Sequence, residues 1–159
     1  MQFNRFDLDF LLEQLVADYD VSPGDFTFGG VSGLVVNSYI PSCEVAQLWM
    51  EKDAFQELCV KEGVINHPMR DTVVVLDREP TDHRVMRVEI RERNDYFLSV
   101  ELEDGVKVFN DLTLMIHMRN DYTAAVEAGS SKEVNLAILT NIRLLNDRLA
   151  EKNKVKQAA

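Results

Sequence analysis

Between Arg84 and Phe109 the apolar residues Met86, Val88, Ile90, Leu98, Val100, Leu102, Val106 and Val108 all fall at even positions, and this period of two is the strongest constraint on the fold. Successive side chains of a strand point to opposite faces, so the even set lines one side of a sheet. The odd set, with Arg87, Glu89, Arg91, Arg93, Glu101, Glu103 and Lys107, is charged and mixed in sign. One face is therefore covered and the other wet, as in an antiparallel sheet. Parity also restricts the turns. A two-residue hairpin at Asp104-Gly105 would set Leu102 against Lys107 and bring charge to the buried side. A three-residue loop, Glu103-Asp104-Gly105, instead pairs Leu102 with Val106, Val100 with Val108 and Glu101 with Lys107, with Gly105 at the left-handed position of a bulge. An odd-length loop around Asn94-Asp95-Tyr96 then keeps Ile90 on the face of Val100. The expectation is an antiparallel meander over 84–109, packed by helices on one face.

Upstream, Asp7 to Tyr19 reads as a helix with Phe6, Phe10, Leu11, Leu15 and Val16 toward a core and Asp9, Glu13 and Asp18 outward. Phe26 and Phe28 alternate with polar neighbours, and Gly29-Gly30 leads into Val31-Ser32-Gly33 and Leu34-Val35-Val36, which predicts a two-stranded hairpin. From a cap at Pro41-Ser42, residues Val45, Leu48, Trp49, Phe55, Leu58 and Cys59 recur at helical spacing up to Gly63. Trp49 is expected in the core of that stripe, although aromatics of this kind also anchor interfaces. Thr72 to Leu76 is a β-branched run before Pro80 and predicts a buried strand.

Downstream of the meander, Leu112, Leu114, Ile116 and Met118 continue the even alternation, while Met115, Met118, Tyr122, Ala125 and Val126 follow helical spacing. Asn110-Asp111 as a cap and Gly129 as a stop favour a helix over Leu112 to Ala128. A second helix opens with a capping box from Ser130 to Glu133 and carries Val134, Ile138, Ile142, Leu145 and Leu149 within roughly 80° of one another. Leu136 and Leu144 project away from that stripe, and Lys152, Lys154 and Lys156 suit the helix's negative end. The chain thus reads as an α+β core domain over 1–110 and a C-terminal helical hairpin over 111–159 that contributes to association. Leu136, Leu144, Leu139 and Arg143 are its expected interface residues. The stripe is too short for an autonomous coiled coil, so pairing through it enlists the preceding helix.

The length of 159 residues suits burial of about 70% of the unfolded surface without disulfides. Cys43 and Cys59, read as lying on one helix about sixteen residues and roughly 24 Å apart, cannot bridge and are expected as reduced, buried thiols. No apolar run is long enough to span a membrane, and MQFNRFDLDF lacks the basic patch and continuous apolar core of a signal peptide, so a cytoplasmic protein starting at Met1 is expected. The net charge of −10 is uneven: residues 1–80 hold 14 acids against 5 bases, residues 81–159 hold 13 against 12. Such a field repels nucleic acid and anionic lipid and favours a partner with a basic surface.

Candidate chemistry is sparse. Gly29-Gly30 fails as a phosphate loop because it lacks a Lys-Ser/Thr ending and leads into β-branched residues. Ser32 fails as a nucleophile because the segment is not read as running from strand into helix. His117 and Asp121, four apart on one helix face, form the best acid–base pair, and Asp77, Asp82 and His83 beside Pro80 the next. Neither has a third partner at a recognisable spacing. Cys43, Cys59, His67 and His83 lack the close pairings that pre-organise zinc, so no metal or cofactor is predicted. Arg84, Arg87, Arg91 and Arg93 are interrupted by Glu89 and Glu92 and divided between two faces, a poor nucleic-acid surface.

The order of an N-terminal helix, hairpin, helix, antiparallel meander and terminal helix, together with the acidic charge, resembles the layout of acidic secretion chaperones. That resemblance implies a chaperone-like adaptor. The residues themselves predict a non-enzymatic, acidic, self-associating protein that engages a protein partner, or an inhibitor that occupies another protein's basic surface. A small enzyme using the His117–Asp121 pair and a structural subunit of a larger particle are the alternatives.

Overall fold

The computed structural model describes residues 2–81 and 83–158, and divides into two compact units, Met1–Phe109 and Asn110–Ala159. The first is an α+β unit. Its opening helix, α1 (Arg5–Tyr19), is started by a reciprocal capping box: the Asp7 N–H donates to Asn4 Oδ1 at 3.1 Å, and the Asn4 N–H to Asp7 Oδ2 at 2.9 Å. Leu8, Leu11, Leu12, Leu15 and Tyr19 are buried. Phe6 and Phe10, expected in the core, stand 62% and 39% exposed. Each precedes a buried leucine, Leu8 or Leu12, by two residues, about 200° of helix, so the leucines and phenylalanines cannot share a face.

After a 3-10 turn at Pro23–Asp25 the chain forms strand β1 (Phe26–Phe28), then helix α2 (Gly30–Val36) where a second strand was expected. Tertiary contacts override the β-branched sequence here. Gly30 sits at φ +53°, the Val31 N–H donates to Gln47 Oε1 at 3.2 Å, and nearly every residue of α2 is buried. The segment read as one helix to Gly63 is strand β2 (Val45–Met50) followed by helix α3 (Lys52–Glu62). Ala46, Leu48 and Met50 alternate at period two, and the break at Glu51 separates them from Phe55, Leu58 and Cys59. Cys43 is therefore on no helix; it forms an antiparallel bridge to Phe3, and both cysteines are free and buried.

Strands β3 (Val73–Thr81), β4 (Arg84–Glu92), β5 (Ser99–Glu101) and β6 (Lys107–Phe109) complete a six-stranded sheet in the order β3-β4-β2-β1-β6-β5. The sheet is mixed, not antiparallel, because β2 pairs parallel with β4 and β1 parallel with β6. No continuous meander exists: β1 and β2 lie between β4 and β6. The hairpin register follows the parity argument, with Val100 opposite Val108, Glu101 opposite Lys107, Leu102 N–H bonded to Val106 O at 2.9 Å, and Gly105 at φ +85°. Ile90 and Val100 do share a face, through the continuous row Val74, Ile90, Leu48, Phe28, Val108, Val100 across all six strands. Its first five members join α1, α2 and α3 in one buried core. β3 is an edge strand, and Val75 on its other face is 48% exposed, so the strand is buried on one side only.

Arg93, just past β4, stitches the crossover. Its backbone N–H donates to Met50 O at 2.7 Å; Nη1 reaches Glu51 Oε1 at 3.1 Å and Thr27 Oγ1 at 3.5 Å; Nη2 reaches Ser99 Oγ at 3.0 Å and Phe97 O at 3.3 Å. The guanidinium also lies 5.7 Å from the centroid of Phe109.

The second unit is a helical hairpin of α4 (Asp111–Glu127) and α5 (Lys132–Ala158). Thus 112–119 is helix, capped by Asn110, whose Oδ1 accepts from the Thr113 N–H at 2.9 Å. A Schellman closure ends α4: Gly129, at φ +70°, donates to Val126 O and Ser130 to Ala125 O. Ser130 is thereby committed to closing α4, and Ser131, one residue later than expected, caps α5 by accepting from the Val134 N–H at 3.3 Å. Lys152 pairs with the buried Asp111, Leu145 is fully buried, and Ile138, Ile142 and Leu149 are partly buried.

Arg93→Lys keeps the charge but loses the forked donors, and should lower unfolding free energy by about 2 kcal/mol. Gly30→Ala combines a left-handed φ with a Cβ 1.7 Å from Gln47 Oε1, and should cost on the order of 3 kcal/mol. Urea denaturation followed by Trp49, the single tryptophan, measures both, and unchanged midpoints would contradict these roles.

Candidate functional site

Strand β1, two glycines and α2 make the strand-to-helix junction that the sequence reading did not foresee. Its first helical turn is already occupied. Gln47 Oε1 sits on the Val31 N–H, Gln47 Nε2 is held by Glu89 Oε1 at 3.3 Å, and the Gly29 N–H donates to Gln47 O at 3.0 Å. A neutral carboxamide thus fills the place where a phosphate would lie. Ser32 is fully buried; its hydroxyl donates to Gly29 O or Gln47 O and accepts from the Gln47 N–H, all within 2.9 Å. It remains a structural hydroxyl, for a different reason from the one expected: the junction has the strand-to-helix order, but no open Oγ.

The four arginines are paired with acids. Arg84 binds the buried Asp7 at 2.8 Å, Arg87 binds Glu89 at 3.1 Å, Arg91 contacts Asp71 and Glu89 at 3.4 and 3.5 Å, and Arg93 holds Glu51. Arg91 also lies 5.5 Å from the ring centroid of Trp49, which packs edge-on against Phe109 at 5.4 Å. Trp49 belongs to β2, opposite Arg91 in register, and is 9% exposed. Beside this aromatic row opens a groove of about 750 Å³, with Trp49, Arg93 and Phe97 among its lining, together with Lys52, Asp53 and His67. Its charges are mixed, with Arg70 and Arg93 among Asp53, Asp71, Glu92 and Asp95, and Arg93 is bound to Glu51 and the sheet.

His117 and Asp121 stand one turn apart on α4, His117 8% exposed and Asp121 partly buried. His83 is exposed, at φ +60°, in the β3–β4 turn; Asp82 lies outside the described residues. No group of three or more metal-binding side chains occurs among the described residues. Burial pushes the Cys43 thiol up to about 12, with Asp7 and Glu44 adding to the shift and a Val45 backbone hydrogen bond opposing it. Cys59 is raised by burial and then by Glu92. Burial and its hydrogen bond to Glu62 carry the Tyr19 hydroxyl to about 12 against the opposing field of Arg78.

Val60 of α3 and Leu112 and Val126 of α4 are exposed apolar side chains far apart on their helices, whereas on α5 and α1 exposed apolar side chains stand at i, i+3 or i, i+4. On α5, Leu136 and Leu139 are 64% and 39% exposed, and Arg143 falls on the same stripe; Leu144, expected beside Leu136, is partly buried. On α1, the rings of Phe6 and Phe10 meet at 4.8 Å in an edge-to-face pair. Of the α5 residues, Leu136 was legible from its angular offset; the same offset also selected Leu144, which is partly covered. The α1 pair was missed because large aromatics at helical spacing read as core.

The fold and these surfaces define an α+β protein with a mixed sheet and an appended helical hairpin. Comparison with protein-family models, curated proteins and solved structures finds no match. The element order, with α2 in place of a hairpin and β4 separated from β5, also lacks the layout on which the likeness to acidic secretion chaperones rested. No helix among the described residues is long and apolar enough to cross a membrane.

Cys43 and Tyr19 hold their protons more tightly folded than unfolded, so their contribution to stability is full below the unfolded values of 9 and 10 and is lost as pH rises toward 12. The urea midpoint should be level up to pH 9 and fall above it. Cys43→Ala should reduce that fall, and an unchanged alkaline profile in the variant would remove Cys43 from this account.

Proposed function

We propose that the chain is a non-enzymatic, acidic protein-binding module that associates through the outer face of α5, with itself or with a protein partner carrying a basic surface. The supporting observation is the segregation on that helix. Leu145 and its neighbours Ile138, Ile142 and Leu149 turn inward, whereas Leu136 and Leu139 stand in water beside Arg143. Two leucines spaced three apart, flanked by a guanidinium, form an anchor-and-rim pattern suited to a partner helix. Burying each is worth about 1.5–3 kcal/mol, enough to decide an association of modest affinity. Leu144 is a flanking residue in this reading, because its side chain is partly covered already.

Leu136→Glu with Leu139→Glu should leave the domain folded and shift it from oligomer to monomer. Light scattering on the wild type and the double variant is the measurement. A monomeric wild type, or a variant with the wild-type mass, would remove self-association through α5.

A further inference from the structure

We propose that the outer face of α1 is a second docking surface, and that its occupant is an apolar cleft or helix face rimmed by Lys and Arg on a protein partner. The inference shares with the proposed function the premise that the chain binds protein, but rests on a different helix and is tested apart from α5. Phe6 and Phe10 lie at i and i+4, 62% and 39% exposed, with their rings in edge-to-face contact, so together they form one outward-facing aromatic knob. Helices that dock into grooves present anchors at this spacing.

The surroundings of the knob specify the partner's charge. The only cation on α1 is Arg5, and it is committed: Nε to Asp9 at 2.9 Å, Nη2 to Asp104, and Nη1 to the carbonyl of Val36 at 3.0 Å. Glu13, exposed, follows Phe10 by three residues on the same face. Asp9, Glu13 and the Asp104 that Arg5 holds outnumber this one cation three to one, so the end of α1 that carries the aromatic pair keeps a negative excess, within a half of the chain that carries 14 acids against 5 bases over residues 1–80. A second copy of this acidic face would be repelled, and so would an anionic lipid surface. A partner with apolar contact area and basic margins satisfies both features at once.

The probe is a fluorescein-labelled amphipathic helical peptide with a leucine face and lysine flanks, compared with a leucine/glutamate version and a lysine/serine version. Fluorescence polarisation at several salt concentrations should give binding of the leucine/lysine peptide alone, about tenfold or more tighter than the lysine/serine peptide. Phe6→Ser with Phe10→Ser should weaken it by about tenfold or more. Asp9→Asn with Glu13→Gln should weaken it several-fold and flatten the salt dependence. In the Leu136→Glu, Leu139→Glu background, where peptide bound at α5 no longer contributes, binding should persist and Phe6→Ser with Phe10→Ser should weaken it by the same factor. The proposal is overturned if the phenylalanine variant, with its unfolding midpoint retained, binds unchanged, if the lysine/serine peptide binds equally well, if the α5 variant alone loses binding, or if no peptide binds the wild type. Should the phenylalanine variant unfold, the Asp9/Glu13 variant decides, since unaltered affinity and salt dependence in it also overturn the proposal. Light scattering on the α5 variant reads the other face separately, so failure of one reading is distinguishable from failure of the other.

Discussion

The guanidinium of Arg93 holds together a sheet whose strands do not lie in chain order. After β4 the chain must pass from one side of the central β2–β1 pair to the far edge, where β5 begins. Such a crossing leaves backbone and side-chain acceptors from several strands converging on one point. Arg93 meets them with its planar fork, bonding Thr27 of β1, Glu51 just past β2 and Ser99 of β5 while lying over the ring of Phe109 of β6. Its side chain is only 16% exposed, so water competes little for these bonds. An isolated surface pair with Glu51 would contribute little, whereas a partly desolvated charge with four acceptors and an aromatic face ties the crossover to the sheet.

Gln47, the third residue of β2, does comparable work. Its amide oxygen closes the first turn of α2, its amide nitrogen is held by Glu89 of β4, and its backbone is bonded to Gly29 and Ser32. Gly30 adopts a left-handed φ directly against this side chain, where a Cβ would collide. Two glycines and one carboxamide thereby convert a β-branched segment into a short buried helix. The junction has the outline of an anion-binding loop, yet the protein supplies its own occupant.

Where a signal was local, the sequence was readable. The even parity of residues 84–109 gave the Glu103-Asp104-Gly105 loop and its register, and the Asn110 cap and Gly129 stop gave α4. The strand order was not readable, because nothing in an alternating pattern says which neighbour a strand takes; β4 pairs with β2, and the same face results. α2 was not legible, because its β-branched residues favour a strand and the cap that opposes them comes from Gln47, sixteen residues beyond Val31. The boundary between β2 and α3 was hidden because Leu48 and Trp49 fall at helical spacing with Phe55 across the break at Glu51. Of the candidate surfaces, the helical wheel sets Leu136 and Leu144 away from the inner stripe; Leu136 is exposed as that offset implies, whereas Leu144 is partly covered and Leu139 is the exposed neighbour. Phe6 and Phe10 were not legible, since a phenylalanine kept in water has the same sequence signature as one in a core.

The interleaved strand order also fixes when the protein can fold as it is made. β1 and β2 form the middle of the sheet, yet the strands that flank them, β4 and β6, are synthesised later. Phe26, Phe28, Leu48 and Met50 all belong to the core that the later strands complete, so a nascent chain carries this apolar surface incompletely covered until residue 109 has left the ribosome. Contacts between such distant segments slow folding, because loop closure must be achieved before the contacts repay it. A fragment ending before β4 would lack a flanking strand on both sides of the β2–β1 pair, and its natural fate is aggregation or capture by a chaperone.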